Sequence, residues 1–239
     1  HEVFANMFYS RDAANEVRYQ RGFSPKAIGP EAALTSRHRY VMRSIFFTQV
    51  GAAHEFEKAR GLKLDYSGSF SRARQDDPTR REVLYTDTSG QGNYEVAVDV
   101  AKPRINAGVL DDAVGNGVMN LEFPFRQWLQ LDSSVKMGAW VEGKQREFSN
   151  RRFLFQQANG VSNIPDYVGN VLNADTIGGG LGAAVGGQEP FYLVEQTGDA
   201  DGYEGRQQVF AGYGQMDLPI TRWFKITGGA RYEFSKIAM

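Results

Sequence analysis

Two stretches of two-residue alternation restrict the folds open to this chain more than any other feature. Between Gly61 and Ser71, Leu62, Leu64, Tyr66 and Phe70 fall on one parity, with Gly68 the only gap; Lys63, Asp65, Ser67, Ser69 and Ser71 fall on the other. Near the far end, Phe224, Ile226, Gly228, Ala230, Tyr232 and Phe234 alternate with Lys225, Thr227, Gly229, Arg231, Glu233 and Ser235. Successive side chains of a strand point to opposite faces, so each stretch has one greasy face and one wet one. Such a sheet either covers a protein core or lines a channel through lipid.

Composition leaves both possibilities open. The 239 residues are 41% hydrophobic, with a formal charge of -1 and a negative mean hydropathy. A membrane barrel hides its apolar residues among polar ones and has the same bulk values as a soluble domain. No stretch approaches the ~18 to 20 apolar residues of a membrane helix. The longest low-polarity run, Ile177 to Gly187, is dominated by glycine and reads as a loop. Near-neutral charge argues against nucleic acid as the main partner. Absence of cysteine excludes disulfides and thiolate metal sites. The chain begins at His1 and stops at Met239 just after a strand-like segment, so we expect an internal piece of a longer protein.

The expected strands are long and their connections uneven. Glu2 to Ser10 reads as a strand, followed by a polar stretch from Arg11 to Arg39. Tyr40 to Ala53 is next, with Phe46, Thr48, Val50 and Ala52 in the apolar phase despite Ile45 and Phe47 on the other parity. The strand at 62–71 runs into an expected polar loop, Arg72 to Arg81, punctuated by Pro78. From Glu82 to Gly117 the pattern blurs, with a possible strand at Tyr94 to Val100. Val118 to Phe123 enters another strand, Pro124 to Asp132 links it to the next, and a long loop is expected from Gln156 to Glu204. Gln207 to Leu218 descends and Trp223 to Ser235 returns. Connections thus alternate long and short, as in transmembrane barrels with brief periplasmic turns and long extracellular loops. Trp128 and Trp223 fall next to short turns, where an interfacial aromatic girdle would lie. A soluble antiparallel sheet used for binding or scaffolding remains the alternative.

Four segments resemble the barrel region of TonB-dependent outer-membrane receptors. The hairpin Phe210 to Ile220 and Phe224 to Glu233, with its Asp217-Leu218-Pro219 turn and its Gly228-Gly229-Ala230-Arg231-Tyr232-Glu233 return, is similar to one found widely in that family. Arg43 to Phe47 with Gly51 and His54 to Phe56 is similar to a second. The 62–71 strand running into Arg74 and Asp77-Pro78 is similar to a third, and Lys136 to Gly138 with Arg146 to Phe148 and Arg151 to Phe153 to a fourth. The resemblance implies an all-β fold: about seven long antiparallel strands of a transmembrane barrel of about 22, here residues 1–239, without its plug domain and chain ends. It also implies the outer membrane of a Gram-negative bacterium. The implied partners are membrane lipid and lipopolysaccharide, the plug of the full-length chain, the TonB energy-transducing complex, and an imported bulky nutrient: an iron chelate, a corrinoid or an oligosaccharide. A passive porin is a lesser variant.

Candidate sites follow from both readings. Lys63, Asp65, Lys136, Glu142, Lys225, Arg231 and Glu233 should face the lumen, mostly paired with one another or with the plug. The family captures cargo on extracellular loops, which makes Arg152, Tyr167, Phe191 and Tyr192 candidate ligand contacts beside Lys136, Arg231 and Glu233. The cluster Arg72, Arg74, Arg80 and Arg81 suits either a solvated rim or contact with glycolipid phosphates. Asp199 to Glu204 resembles a fragment of a calcium loop but lacks the full spacing. His1, His38 and His54 share no ligand spacing. Adjacent Asp76-Asp77 and Asp111-Asp112 should point apart on an extended chain. No nucleophile or phosphate-loop motif occurs. We therefore expect no catalytic residue, cofactor or metal.

Overall fold

The computed structural model describes residues 1–23, 32–87, 94–97, 101–157 and 191–239. These residues form one antiparallel sheet. Its seven long strands are β1 (Glu2–Phe23), β2 (Ala32–Phe56), β3 (Leu62–Asp87), β5 (Arg104–Arg126), β6 (Asp132–Gln157), β8 (Gly202–Pro219) and β9 (Lys225–Ala238). Each pairs with the next in chain order, and β1 and β9 are the two outer strands. Two short strands join at one end: β4 (Glu95–Val96) beside β3, and β7 (Phe191–Glu195) beside β6. The fold class expected from the sequence, all-β with seven long antiparallel strands, is the one observed.

Strands run further than their apolar alternation. The polar stretch expected at 11–39 instead holds the second half of β1 and the start of β2, paired from Arg11↔Ser44 to Phe23↔Ala32. The expected loop at 72–81 is the interior of β3, paired with both β2 and β5. Backbone ladders need no apolar side chain, and charged residues opposite one another substitute ion pairs for greasy contacts. Pro78 does not end β3. It sits where the pairing slips, between Asp77 and Arg80 against β5 and between Tyr40 and Met42 of β2. Proline cannot donate to the ladder, and a bulge is where a strand tolerates it. Of the strand suggested at 94–100, Glu95 and Val96 pair with β3, and residues 98–100 lie outside the described residues. The expected loop at 156–204 contains β7, a 3₁₀ turn at Asp199–Asp201 and the start of β8.

Three tight turns, at 57–61, 127–131 and 220–224, lie at one end of the sheet. Gly61 closes the first at φ +77°, a conformation that glycine adopts without strain, and its N–H reaches the carbonyl of Phe56 at 3.1 Å. Gln127 ties the other two together: its side-chain amide donates to Pro219 O at 2.5 Å and its oxygen accepts from Leu129 N at 2.7 Å. Trp128 and Trp223 stand in these turns at 69% and 85% exposure.

Register sorts the side chains. On one face near the tight turns lie Leu62, Leu64, Tyr66 and Phe70 of β3, facing Leu121, Met119 and Gly115 of β5 and His54, Ala52 and Thr48 of β2. Met137, Ala139 and Val141 of β6 continue the band onto Gly214, Gly212 and Phe210 of β8, then Ala230, Tyr232 and Phe234 of β9. Val3, Ala5, Met7 and Tyr9 extend it to the other edge. Phe46, Thr48, Val50 and Ala52 take this phase as expected. Ile45 and Phe47 lie on the opposite face, where Phe47 pairs with Phe8. The band is uncovered: Val50, Phe224 and Phe234 are 58%, 47% and 53% exposed. The buried apolar cluster, Val83, Tyr85, Val96 and Phe155, sits instead at the far end, beside β4.

Candidate functional site

The opposite face of the sheet is polar, and its side chains meet across strands rather than along them. One row of the ladder reads Asp65, Asn120, Gly138 and Tyr213, ending at Arg231 on β9. Asn120 donates to Asp65 at 2.7 Å and accepts from the Tyr213 hydroxyl at 2.8 Å. The tyrosine reaches Asn120 across β6 because Gly138 lies between them. A Cβ at Gly138 would collide with Asn120 Oδ1 and the Tyr213 ring and come within 2.9 Å of Met119 O. Arg231 lies 5.6 Å from the Trp140 ring centroid and pairs with Glu233 at 3.0 Å.

Near the tight turns, Glu122 receives both Lys136 at 3.4 Å and Lys63 at 3.9 Å, and Lys225 pairs with Asp217 at 3.5 Å. The seven residues expected to line a lumen share one face, but only Arg231 and Glu233 pair with each other; Lys63, Lys136, Lys225 and Asp65 take partners outside the set. Asp111 and Asp112 point apart: Asp111 pairs with Arg72 at 2.7 Å on one face, while Asp112 takes Arg146 and Lys144 on the other. Asp76 and Asp77 divide likewise, between Arg74 and Arg39.

The bulge splits the arginine cluster of 72–81 between the two faces. Arg72 and Arg74 stand on the apolar band's face, immediately beyond Phe70. There they border a depression of about 370 Å³ with Asp111, Gln145 and Glu147. Arg80, after the bulge, stands on the polar face.

At the end away from the tight turns, Arg152 bonds Asp201 at 2.9 Å, and its backbone N–H donates to Thr197 Oγ1 at 3.1 Å. Arg151, on the other face, grips Glu195 of β7 through two bonds of 2.9 Å each. That guanidinium, with the Thr197 hydroxyl, holds the Glu195 carboxyl down at about 2. Phe191 and Tyr192 lie in β7, opposite Gln157 and Gln156. Tyr167 lies outside the described residues.

The candidate ligand residues thus fall in three places: Lys136 by the tight turns, Arg231 and Glu233 mid-strand on β9, and Arg152, Phe191 and Tyr192 at the far end. They do not converge on one pocket. Sequence reasoning missed Asn120 and Tyr213, whose partnership depends on the registers of two strand pairs, β5 with β6 and β6 with β8. It also separated His1 from His54, whose Nδ1 atoms lie 2.7 Å apart. His38 is elsewhere, and among the described residues no group of three metal-ligating side chains occurs.

Comparisons with protein-family models, with curated proteins and with solved structures give no match to this chain.

Proposed function

We propose that the chain is part of the wall and outer loops of a TonB-dependent outer-membrane receptor, which imports a bulky nutrient such as an iron chelate, a corrinoid or an oligosaccharide. The observation that carries this reading is the uncovered apolar band, in one phase on all seven long strands and backed by a charged, hydrogen-bonded face. On β5 the band runs from Phe123 to Ala113 and stops at Asp111; on β3 it stops at Arg72. Ten steps at ~3.4 Å, tilted by ~40°, give a height near the ~25 Å of a barrel's apolar belt. Trp128 and Trp223 at the tight turns, and Tyr9, Phe46, Phe70 and Phe234 at the other margin, suit aromatic girdles at both interfaces.

The outer edges of β1 and β9, unpaired among the described residues, fit a wall continued by further strands, since a barrel has no edges and an open sheet invites aggregation. In this reading the plug of the full-length receptor sits against the polar face and carries the contact with the TonB complex. The protein's role here is conductive rather than catalytic.

The chain has no cysteine, so single-cysteine spin labels report each face cleanly. In lipid vesicles, labels at Leu64 and Phe70 should be relaxed by lipid-soluble oxygen, and those at Ser67 and Ser69 by a water-soluble nickel chelate. Equal access of the chelate to both sets would refute the membrane reading.

A further inference from the structure

We propose that the polar face carries, at the end away from the tight turns, a binding site for an anion bearing carboxylate or phosphate oxygens, centred on Arg80. The proposal rests on the receptor reading and names the class of cargo, or of charged group on the cargo, that the mouth of the lumen would take.

The local charges do not balance. Arg39 is bonded to Asp77 at 2.8 Å, and Arg37 and Arg104 share the two oxygens of Glu82 at 3.2 and 2.9 Å. Three guanidiniums therefore draw on two carboxylates. Among the described residues Arg43 has only the neutral side chain of Gln75, at 3.0 Å. Asp12 stands opposite Arg43 across β1, and Glu16 is taken by Arg18. These two acids match two arginines and leave the excess where it was. Arg80 makes no hydrogen bond or ion pair among the described residues, and its buried Nε is unpartnered, as is that of Arg37. The buried Oδ1 of Asp77 is also unpartnered. Yet Asp77 already neutralises Arg39, so turning it to Arg80 would only free the other cation.

Burying a guanidinium nitrogen without an acceptor is costly, which makes an anion its natural complement. A pocket of about 150 Å³ lies at this point; Arg39, Arg80, Asn106 and Asn150 line it together with Gln75, Gly108, Leu110, Phe148 and the Asp77 carboxylate, whose charge Arg39 takes up. The bulge at Pro78 shapes it: one extra residue in β3 puts Arg80 on the same face as Asp77, where regular alternation would turn it to the other. Arginine's planar fork matches carboxylate and phosphate oxygens alike, and the two asparagine amides supply neutral donors beside it.

Deeper along the same face the balance reverses. Glu2 and Glu142 meet no cation among the described residues, and Asp65 meets only an amide. An anion is thus drawn to the outer end and not retained further in, as passage requires.

The test is titration of the whole chain, folded in detergent micelles, with citrate, inorganic phosphate and neutral maltose, followed calorimetrically. Citrate or phosphate should bind, more weakly as salt rises, and maltose should not; the stronger of the two anions identifies the source of the charge. Arg80→Gln should weaken binding about tenfold or more, with Arg80→Lys intermediate because it keeps charge and loses the fork. Gly108→Leu should abolish binding by filling the pocket; a Cβ there meets nothing closer than 3.6 Å, so the strand should still form. Equal affinity for maltose, no binding of either anion, or full affinity in the folded Arg80→Gln and Gly108→Leu proteins would each overturn the site. The spin-label result above is read independently, so a failed anion site with oxygen-accessible Leu64 and Phe70 would leave the receptor reading standing.

Discussion

At the scale of single residues, two positions show how neighbours set what a side chain does. Gly138 is a gap that lets Tyr213 lie along the wall and reach Asn120. Gly138→Ala should force the tyrosine away, break that hydrogen bond and lower stability by about 1–3 kcal/mol, measured by urea unfolding in micelles. An unchanged midpoint would mean the ring has another place to go. Glu195 gives a pH dependence whose sign is fixed. Its carboxyl titrates at about 2 in the folded protein against an ordinary 4.5, so its contribution to holding β7 is complete above that ordinary value. It fades as pH falls towards 2. Carboxyl carbon shifts of Glu195 should show the low value, and Arg151→Gln should return it towards 4.5. A Glu195 that already titrates normally in the unaltered protein would contradict the bidentate pair.

At the scale of elements, β3 concentrates the argument. Arginine at Leu64 or Phe70 should cost about 2–4 kcal/mol near a membrane midplane and about 0–1 nearer an interface. Arginine at Ser67 or Ser69 should be tolerated. Unfolding midpoints in lipid vesicles separate the two sets, and equal losses would count against a lipid-facing parity. The same strand marks what was legible in the sequence. Its first ten residues alternate cleanly, so both faces could be assigned from Leu62 to Ser71. Beyond Arg72 charged residues occupy both parities, periodicity vanishes and only pairing with β2 and β5 keeps the strand extended. Pro78 then imitates a loop while marking a bulge. The residues of the polar face were readable because each lay in an alternating run. Their partners were not, because Asp65–Asn120–Tyr213 requires register, which no local pattern encodes. The His1–His54 contact was hidden for the same reason.

At the scale of the whole molecule, tight turns gather at one end and long connections at the other. Gln127 links two of the three turns, those at 127–131 and 220–224, so that they are not independent. Gln127→Ala should loosen the turns at 127–131 and 220–224 together, by about 1–3 kcal/mol for the orphaned groups. Hydrogen exchange at Leu129 and Ile220 is the measurement, and protection lost at only one of them would argue against the linkage. The sheet also continues well past its apolar band: β3 runs from Arg72 to Asp87, with β2 alongside throughout and, on the other side, β5 as far as Glu82 and β4 at Tyr85 and Thr86. At ~3.4 Å per residue that is roughly 50 Å along the strand. In a bilayer such a wall would stand clear of the lipid as a stiff palisade. Bulky visitors from the medium would first touch its crest, far above the level at which the greasy band ends.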